Sequence, residues 1–341
     1  MSKEESTIIK GVAILLMIFM HLFTHPDIAN YCTPLLYIDG MPFVHILSRA
    51  CGPVPFFIIV SGYGLQYTYL KNKLSFKSQC KRLLKLFIYY WIILIVFVSI
   101  GHFIHPEKYP GSTWNIIGNL TSYLNSYNAE HWFLFPYALL ALSANYIFKL
   151  MDKLGNKWSL LLFFVVSFTS AYFTSRYIAV NKDYDSVLAH ILAFTGMFFS
   201  FAVGSIMCRI AQVRNIKNKY LSLHPSIALL ILLSIIAVRC TFTTSAIDGF
   251  YVFAFIWLFL HIPLYKYVKA LLITMGKHSM PMWLTHSFFC YYLFKDFTYG
   301  FEYPLIIYAM LVTISYFISF PIMWLSDYIF SHIITAPSKQ Q

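Results

Sequence analysis

The stretch IIKGVAILLMIFMHLF, residues 8–23, decides how the chain must fold. Its only ionisable side chains are Lys10 and His21. Crossing a bilayer as a helix takes about 20 apolar residues, so this run reads as a membrane span. Nine further runs of the same kind follow, giving ten in all: 8–25, 53–70, 84–104, 132–150, 158–177, 187–209, 225–240, 249–266, 279–297 and 304–331. Run 225–240 is the weakest, being short and closed by Arg239. Composition agrees. Of 341 residues, 59% are hydrophobic and 11% charged, with mean hydropathy +0.66. A soluble domain carries roughly 25% charged and 45–50% apolar residues. An ordinary cytosolic enzyme, a disordered chain and a secreted disulfide scaffold are thereby excluded. The expectation is an all-α polytopic membrane protein of about ten transmembrane helices, forming one domain over residues 1–341. No repeat of 20–50 residues, linker or low-complexity segment interrupts it.

The net charge of +12 suits a positive-inside bias better than nucleic-acid binding. With the N-terminus placed in the cytoplasm and the spans alternating, 19 of 25 Lys and Arg fall inside, including Arg214, Lys217, Lys219 and Lys339. Only Arg49, Lys108, Arg176, Lys182, Arg239 and Lys295 fall outside. Both termini are therefore expected in the cytoplasm. Segments 26–52 and 105–131 are expected outside, and their Tyr, Asn, His, Thr and Ser suit contact with a polar acceptor. No small-residue cleavage site follows the first run, so it is expected to remain as a helix. The six cysteines, Cys32, Cys51, Cys80, Cys208, Cys240 and Cys290, show no metal spacing. Cys32 and Cys51 share one outside loop and could pair there; free thiols are the plainer alternative.

Ionisable residues within spans are costly and are functional suspects. Eleven residues separate Lys10 from His21, a rotation of about 1100° and a rise of about 16 Å. They therefore share a helix face, the lysine at the surface and the histidine deep. A surface cation can hold a phosphorylated donor and a deep imidazole can move a proton; a histidine hydrogen-bonded in a helix interface is the alternative. In SQCKRLLKLF (78–87), Arg82 and Lys85 lie three apart, neighbours on one side of a helix. On spacing alone, positive-inside anchoring explains them better. In GKHSMPMWLTH (276–286), Ser279 and His286 are nearly eclipsed on a helix, and a second deep histidine points to a shared polar cavity. In NAEHWFLFPY (128–137), Glu130 and His131 meet the outer end of the fourth span. The pairs His21/His25 and His102/His105 lack a third ligand, and no HExxH, P-loop, GxGxxG or GxSxG occurs, so no metal site is expected. NLT at 119–121 matches a glycosylation sequon by pattern.

Together these segments resemble the acyltransferase type 3 family of integral-membrane enzymes, over most of the chain. Lys10 and His21 match its basic residue, ten intervening residues, then His. PFFIIVSGYGL (55–65) is similar to its Phe-Phe…Ser-Gly-Phe helix, with Tyr63 for the usual Phe. Arg82 and Lys85 match Arg-x-x-Arg with Lys in the second place, and HWFLFPYALL (131–140) its Trp-Phe/Tyr-Leu helix. GKHSMPMWLTH is similar to its Gly-x-x-Ser-Tyr-x-x-Tyr-Leu-x-His signature, with Met280 and Trp283 replacing the two Tyr.

The resemblance implies an acyl-CoA co-substrate, acetyl-CoA foremost, and no bound cofactor. It implies a sugar-hydroxyl acceptor on a cell-envelope glycan or lipid-linked intermediate, in a bacterial cytoplasmic membrane. Within it, His21 is the general base or the site of a transient acyl group. Lys10, Arg82 and Lys85 bind the donor phosphates, with weaker bidentate contact at Lys85 because ammonium is a point charge. Ser61, Ser279 and His286 line the cavity or polarise the thioester, with Glu130 and His131 nearby. The alternative is a polysaccharide exporter or flippase of related fold. A carrier calls for inverted repeats and mid-membrane helix breaks; no repeat is visible, and Pro53, Pro55 and Pro281 fall near expected helix starts. A purely structural subunit leaves His21 and His286 unexplained.

Overall fold

The computed structural model describes residues 1–213 and 223–334. Arg214, Lys217, Lys219 and Lys339 lie outside the described residues. The chain is helical almost throughout: α1 (Lys3–Phe23), α2 (Phe43–Ser48), α3 (Val54–Leu70), α4 (Phe76–Ile104), α5 (Thr113–Leu120), α6 (Leu134–Phe173), α7 (Ala179–Asn181), α8 (Val187–Gly196), α9 (Phe198–Val213), α10 (Pro225–Cys240), α11 (Asp248–Phe259), α12 (Lys266–Ser287), α13 (Lys295–Tyr299) and α14 (Pro304–Ile329). One two-residue hairpin, Tyr37–Ile38 with Met41–Pro42, turns at Asp39-Gly40.

A helix lies on each of the ten expected runs, with altered bounds. Among the described residues, five stretches are long and apolar enough to cross a membrane: Lys3–Phe23, Phe76–Ile104, Ala129–Asn181, Val187–Gln212 and Pro304–His332. Pro225–Cys240 and Asp248–Phe259 are shorter apolar helices. The expected runs 132–150 and 158–177 lie on one element, α6, broken where Gly155 takes φ 73°, a conformation open mainly to glycine. The expected run 279–297 is displaced. Its helix, α12, begins at Lys266, so the 276–286 motif occupies the last half of the helix and Pro281 lies inside it. The proline argument against a carrier therefore fails at that position. The six cysteines are free. Cys32 and Cys51 do not pair; their thiols donate to the carbonyls of Ile28 and Leu47 in their own backbone turns.

Local chemistry sets the helix starts. Ser2 caps α1, its hydroxyl accepting from Glu5 N at 3.1 Å while Glu5 Oε2 accepts from Ser2 N at 2.5 Å, a reciprocal capping box. Ser75 and Ser78 cap α4 in the same way. Arg239, which made run 225–240 look weak, is buried. Its Nε donates to Asp248 Oδ1 at 2.8 Å and its Nη1 to Phe242 O at 2.7 Å. The sequon asparagine, Asn119, is also buried, with its amide donating to Asn115 O and Ser126 Oγ, both at 2.8 Å.

The packing that matters for the site is between α1 and α12. A Cβ added to Gly11 would lie 2.0 Å from Leu272 O, and one added to Gly276 would lie 1.9 Å from Thr7 O. The two backbones therefore touch, as small residues permit between membrane helices. His21 stands ten residues beyond Gly11 and His286 ten beyond Gly276. Parallel helices that start level at the glycines rise about 15 Å together to reach the histidines side by side. The α3–α9 pair is built alike, through Gly62 against Phe201 O and Gly204 against Ile59 O.

Candidate active site

His21 and His286 occupy the last turns of α1 and α12. Nδ1 of His21 lies 2.6 Å from Nε2 of His286. The ring planes differ by 4° with centroids 4.9 Å apart, so the rings meet edge to edge in one plane, as a linear N–H···N bond requires. On its other side, His21 Nε2 lies 3.1 Å from Glu130 Oε2. His286 Nδ1 faces two carbonyls, Trp283 O at 2.8 Å and Met282 O at 3.2 Å.

These partners assign the protons. Carbonyls only accept, so His286 Nδ1 carries hydrogen and, in the neutral ring, Nε2 is an acceptor. His21 must then donate from Nδ1. Its Nε2 is left to share one proton with Glu130. The chain runs backbone carbonyl, His286, His21, Glu130, and it fixes which nitrogen of His21 is available for chemistry. His286 is 0% exposed. It does not line the cavity, contrary to the expectation for it; it holds the back of His21.

Glu130 is held by the segment around it. The Asn128 amide donates to Ser287 Oγ at 2.8 Å, Ser287 Oγ donates to Asn128 Oδ1 at 3.0 Å, and the same oxygen accepts from Glu130 N at 3.1 Å. All-buried Asn128 and Ser287 thus lock the Glu130 turn to the end of α12. His131 points elsewhere: its Nε2 donates to Leu284 O at 2.9 Å, and it serves the same docking from outside the cavity. A π-turn at Phe288–Tyr292 ends α12 and aims the Tyr291 hydroxyl at the carbonyl of His21. Tyr299 donates to Leu22 O at 2.9 Å. Two tyrosines therefore take up free carbonyls at the end of α1.

A cavity of about 1100 Å³ runs along α1 and α3. Lys10, Arg82, Ser61, Ser279, His21 and Glu130 all line it. Lys10 and Arg82 lie close enough for their charges to repel, and among the described residues no acidic group forms an ion pair with either. They are the only Lys or Arg in the described lining. Ser61 Oγ lies 3.1 Å from Tyr137 OH, and Ser279 Oγ donates to Gly276 O at 3.0 Å. Lys85 is not brought to the cavity. Its Nζ pairs with Asp327 Oδ1 of α14 at 2.8 Å. Three residues turn a helix by about 300°, so Lys85 stands about 60° round from Arg82, enough to face the neighbouring helix.

The sequence reading missed Asn128, Ser287, Tyr291 and the two glycines. Only the glycines left a signal, the matching ten-residue steps to His21 and His286. A sequence model of the acyltransferase domain of the type 3 family matches residues 4–326. No curated protein and no solved structure gave a match.

Proposed function

The chain belongs to the acyltransferase type 3 family, and from that premise we propose that this integral-membrane protein moves an acyl group, acetyl foremost, from acyl-CoA to a hydroxyl of a cell-envelope glycan or lipid-linked sugar. The donor phosphates sit on Lys10 and Arg82, on the cytoplasmic side of a bacterial inner membrane, and the acceptor enters from the Glu130 end. One observation carries this reading: a single cavity joins two cations that have no acidic partner among the described residues to the His21–Glu130 pair. The distance suits a thioester at the tip of a long pantetheine arm, since Lys10 and His21 are about 16 Å apart by helix rise.

In the transfer, the acceptor oxygen attacks the thioester carbonyl. A C–O bond forms, the C–S bond breaks, and the hydroxyl proton taken by His21 Nε2 passes to the departing thiolate. Nε2 can take that proton only when the proton it shares with Glu130 sits on the carboxylate or has left the pair. Glu130 therefore sets the charge state of the base. Ser279 and Ser61 line the same cavity, and in this reading their hydroxyls offer hydrogen bonds to the donor.

The donor assignment is tested by separating Arg82 from Lys85. Arg82→Ala removes a charge-assisted contact worth about 1.5–3 kcal/mol, so the KM for acetyl-CoA should rise roughly ten- to a hundred-fold with partial rescue by added acetyl-CoA. Lys85→Ala breaks only an exposed ion pair and should change KM less than about threefold. Equal effects of the two substitutions, or none at Arg82, would remove the phosphate site from the cavity. The orientation is checked by thiol labelling of single cysteines in right-side-out vesicles. Residues within 71–85 should be protected and those within 105–112 labelled; the reverse pattern would put the donor site on the wrong side.

A further inference from the structure

The lining of the same cavity includes residues of the segment before α6 and of the start of α8 and the turn ahead of it: Asn125, Ser126, Tyr184, Asp185 and His190. The two segments are fastened by rings. His190 sits 4.4 Å from Tyr123 and 5.0 Å from Phe135, centroid to centroid. His190 is only 6% exposed, and its Nε2 has no hydrogen-bond partner. The Oδ1 of Asn125 is likewise buried and unpartnered. Folded proteins pair nearly all buried polar atoms, and two exceptions in one stretch of cavity wall require an explanation.

The charge in this part of the wall differs from that at the donor end. Its acidic members are Glu130, Asp185 and Asp248, of which Asp248 is paired with Arg239. No Lys or Arg of the described lining lies there, because Lys10 and Arg82 are both at the far end. A phosphate or carboxylate would meet acidic side chains without a compensating cation. A neutral polyol brings no charge to them; the His190 nitrogen and the Asn125 oxygen are shielded from the cavity space in this structure and reach such a ligand by side-chain rotation, while Ser126 and Tyr184 line the cavity, and all four groups can exchange hydrogen bonds with it.

We infer that Asn125 and His190 form an acceptor-recognition subsite for an uncharged, hydroxyl-bearing ring, a neutral sugar residue, and that the wall around them excludes anionic sugars. The sugar is held by His190 and Asn125, and a neighbouring hydroxyl is presented to His21. The inference rests on the acyl-transfer reading for the identity of the acceptor, but its own content is binding, so it is tested without turnover.

The experiment uses the full chain in lipid nanodiscs and saturation-transfer NMR with two probes, methyl α-glucopyranoside and its uronate, methyl α-glucopyranosiduronic acid. Wild-type protein should bind the neutral glycoside and bind the uronate at least tenfold more weakly. His190→Leu and Asn125→Leu should each weaken the neutral glycoside about tenfold or more, while His190→Gln, which retains a hydrogen-bonding amide, restores most of the loss. CoA binding at the Lys10 end, measured on the same samples, should be unchanged in all three variants, and a variant that loses it is judged by the other two. Absence of glycoside binding in the wild type, equal binding of the uronate, or full binding in both leucine variants overturns the subsite. If the wild type binds the glycoside but releases no CoA from acetyl-CoA in its presence, the subsite stands and the transfer reading falls.

Discussion

His21→Gln should leave the protein inserted, folded and able to bind acyl-CoA, while acyl transfer falls by about 10²–10⁴-fold, the usual worth of a positioned general base. Glutamine keeps polarity and similar bulk. Its amide can still meet His286 Nε2 as a donor, but it cannot take up the hydroxyl proton. The donor phosphates lie about 16 Å away by helix rise, so affinity for acyl-CoA should stay near that of the wild type, and raising acyl-CoA should not restore the rate. Binding and transfer measured on one purified sample separate lost chemistry from lost fold. If more than about a tenth of the rate survives, base catalysis by His21 is excluded. His286 cannot then inherit the role as the structure stands, because its Nδ1 is committed to two carbonyls and its Nε2 to His21. Acyl transfer would then have to proceed without a base at this position.

The parts of this site that follow a helix period could be read from the sequence. Lys10 and His21 share a face because eleven residues make nearly whole turns, and both line the cavity. The donor role of Lys85 came from the resemblance and not from this arithmetic; a three-residue step turns its side chain far enough to pair with Asp327. Span boundaries failed where the cue was local: hydropathy cannot show that α12 begins at Lys266, because Lys266, Lys269 and Lys277 cut its first half into apolar pieces too short to read as part of a span. The His21–Glu130 contact joins residues 109 positions apart through an irregular turn. Its geometry depends on Asn128 and Ser287 meeting across two elements, which no periodicity encodes. For the outer-loop cysteines the free-thiol reading holds, since sharing a loop says nothing of distance once each thiol has turned to its own backbone.

The joining of the two histidines depends on backbone contact at Gly11 and Gly276, so the second large effect is expected from a single methyl group far from the chemistry. Gly276→Ala puts a Cβ 1.9 Å from Thr7 O and 2.9 Å from Thr7 C. The contact is with backbone, so no rotamer change relieves it, and α1 must move away from α12. Overpacking of this kind typically costs about 1–3 kcal/mol, and the melting temperature in detergent should fall accordingly. The larger consequence is at the other end of the lever. His21 Nδ1 and His286 Nε2 are bonded at 2.6 Å, and a shift of about 1 Å at a reacting group can cost about a hundredfold in rate. Transfer should therefore fall far more than stability. Gly64→Ala is the control for stability: its Cβ meets nothing within 4 Å, and replacing an interior helix glycine by alanine is favourable by about 0.5–1 kcal/mol. Its melting temperature should stay level or rise. If Gly276→Ala melts as the wild type does and keeps its rate, the α1–α12 contact is not what sets His21 against His286, and the tautomer assigned to His21 loses its structural basis.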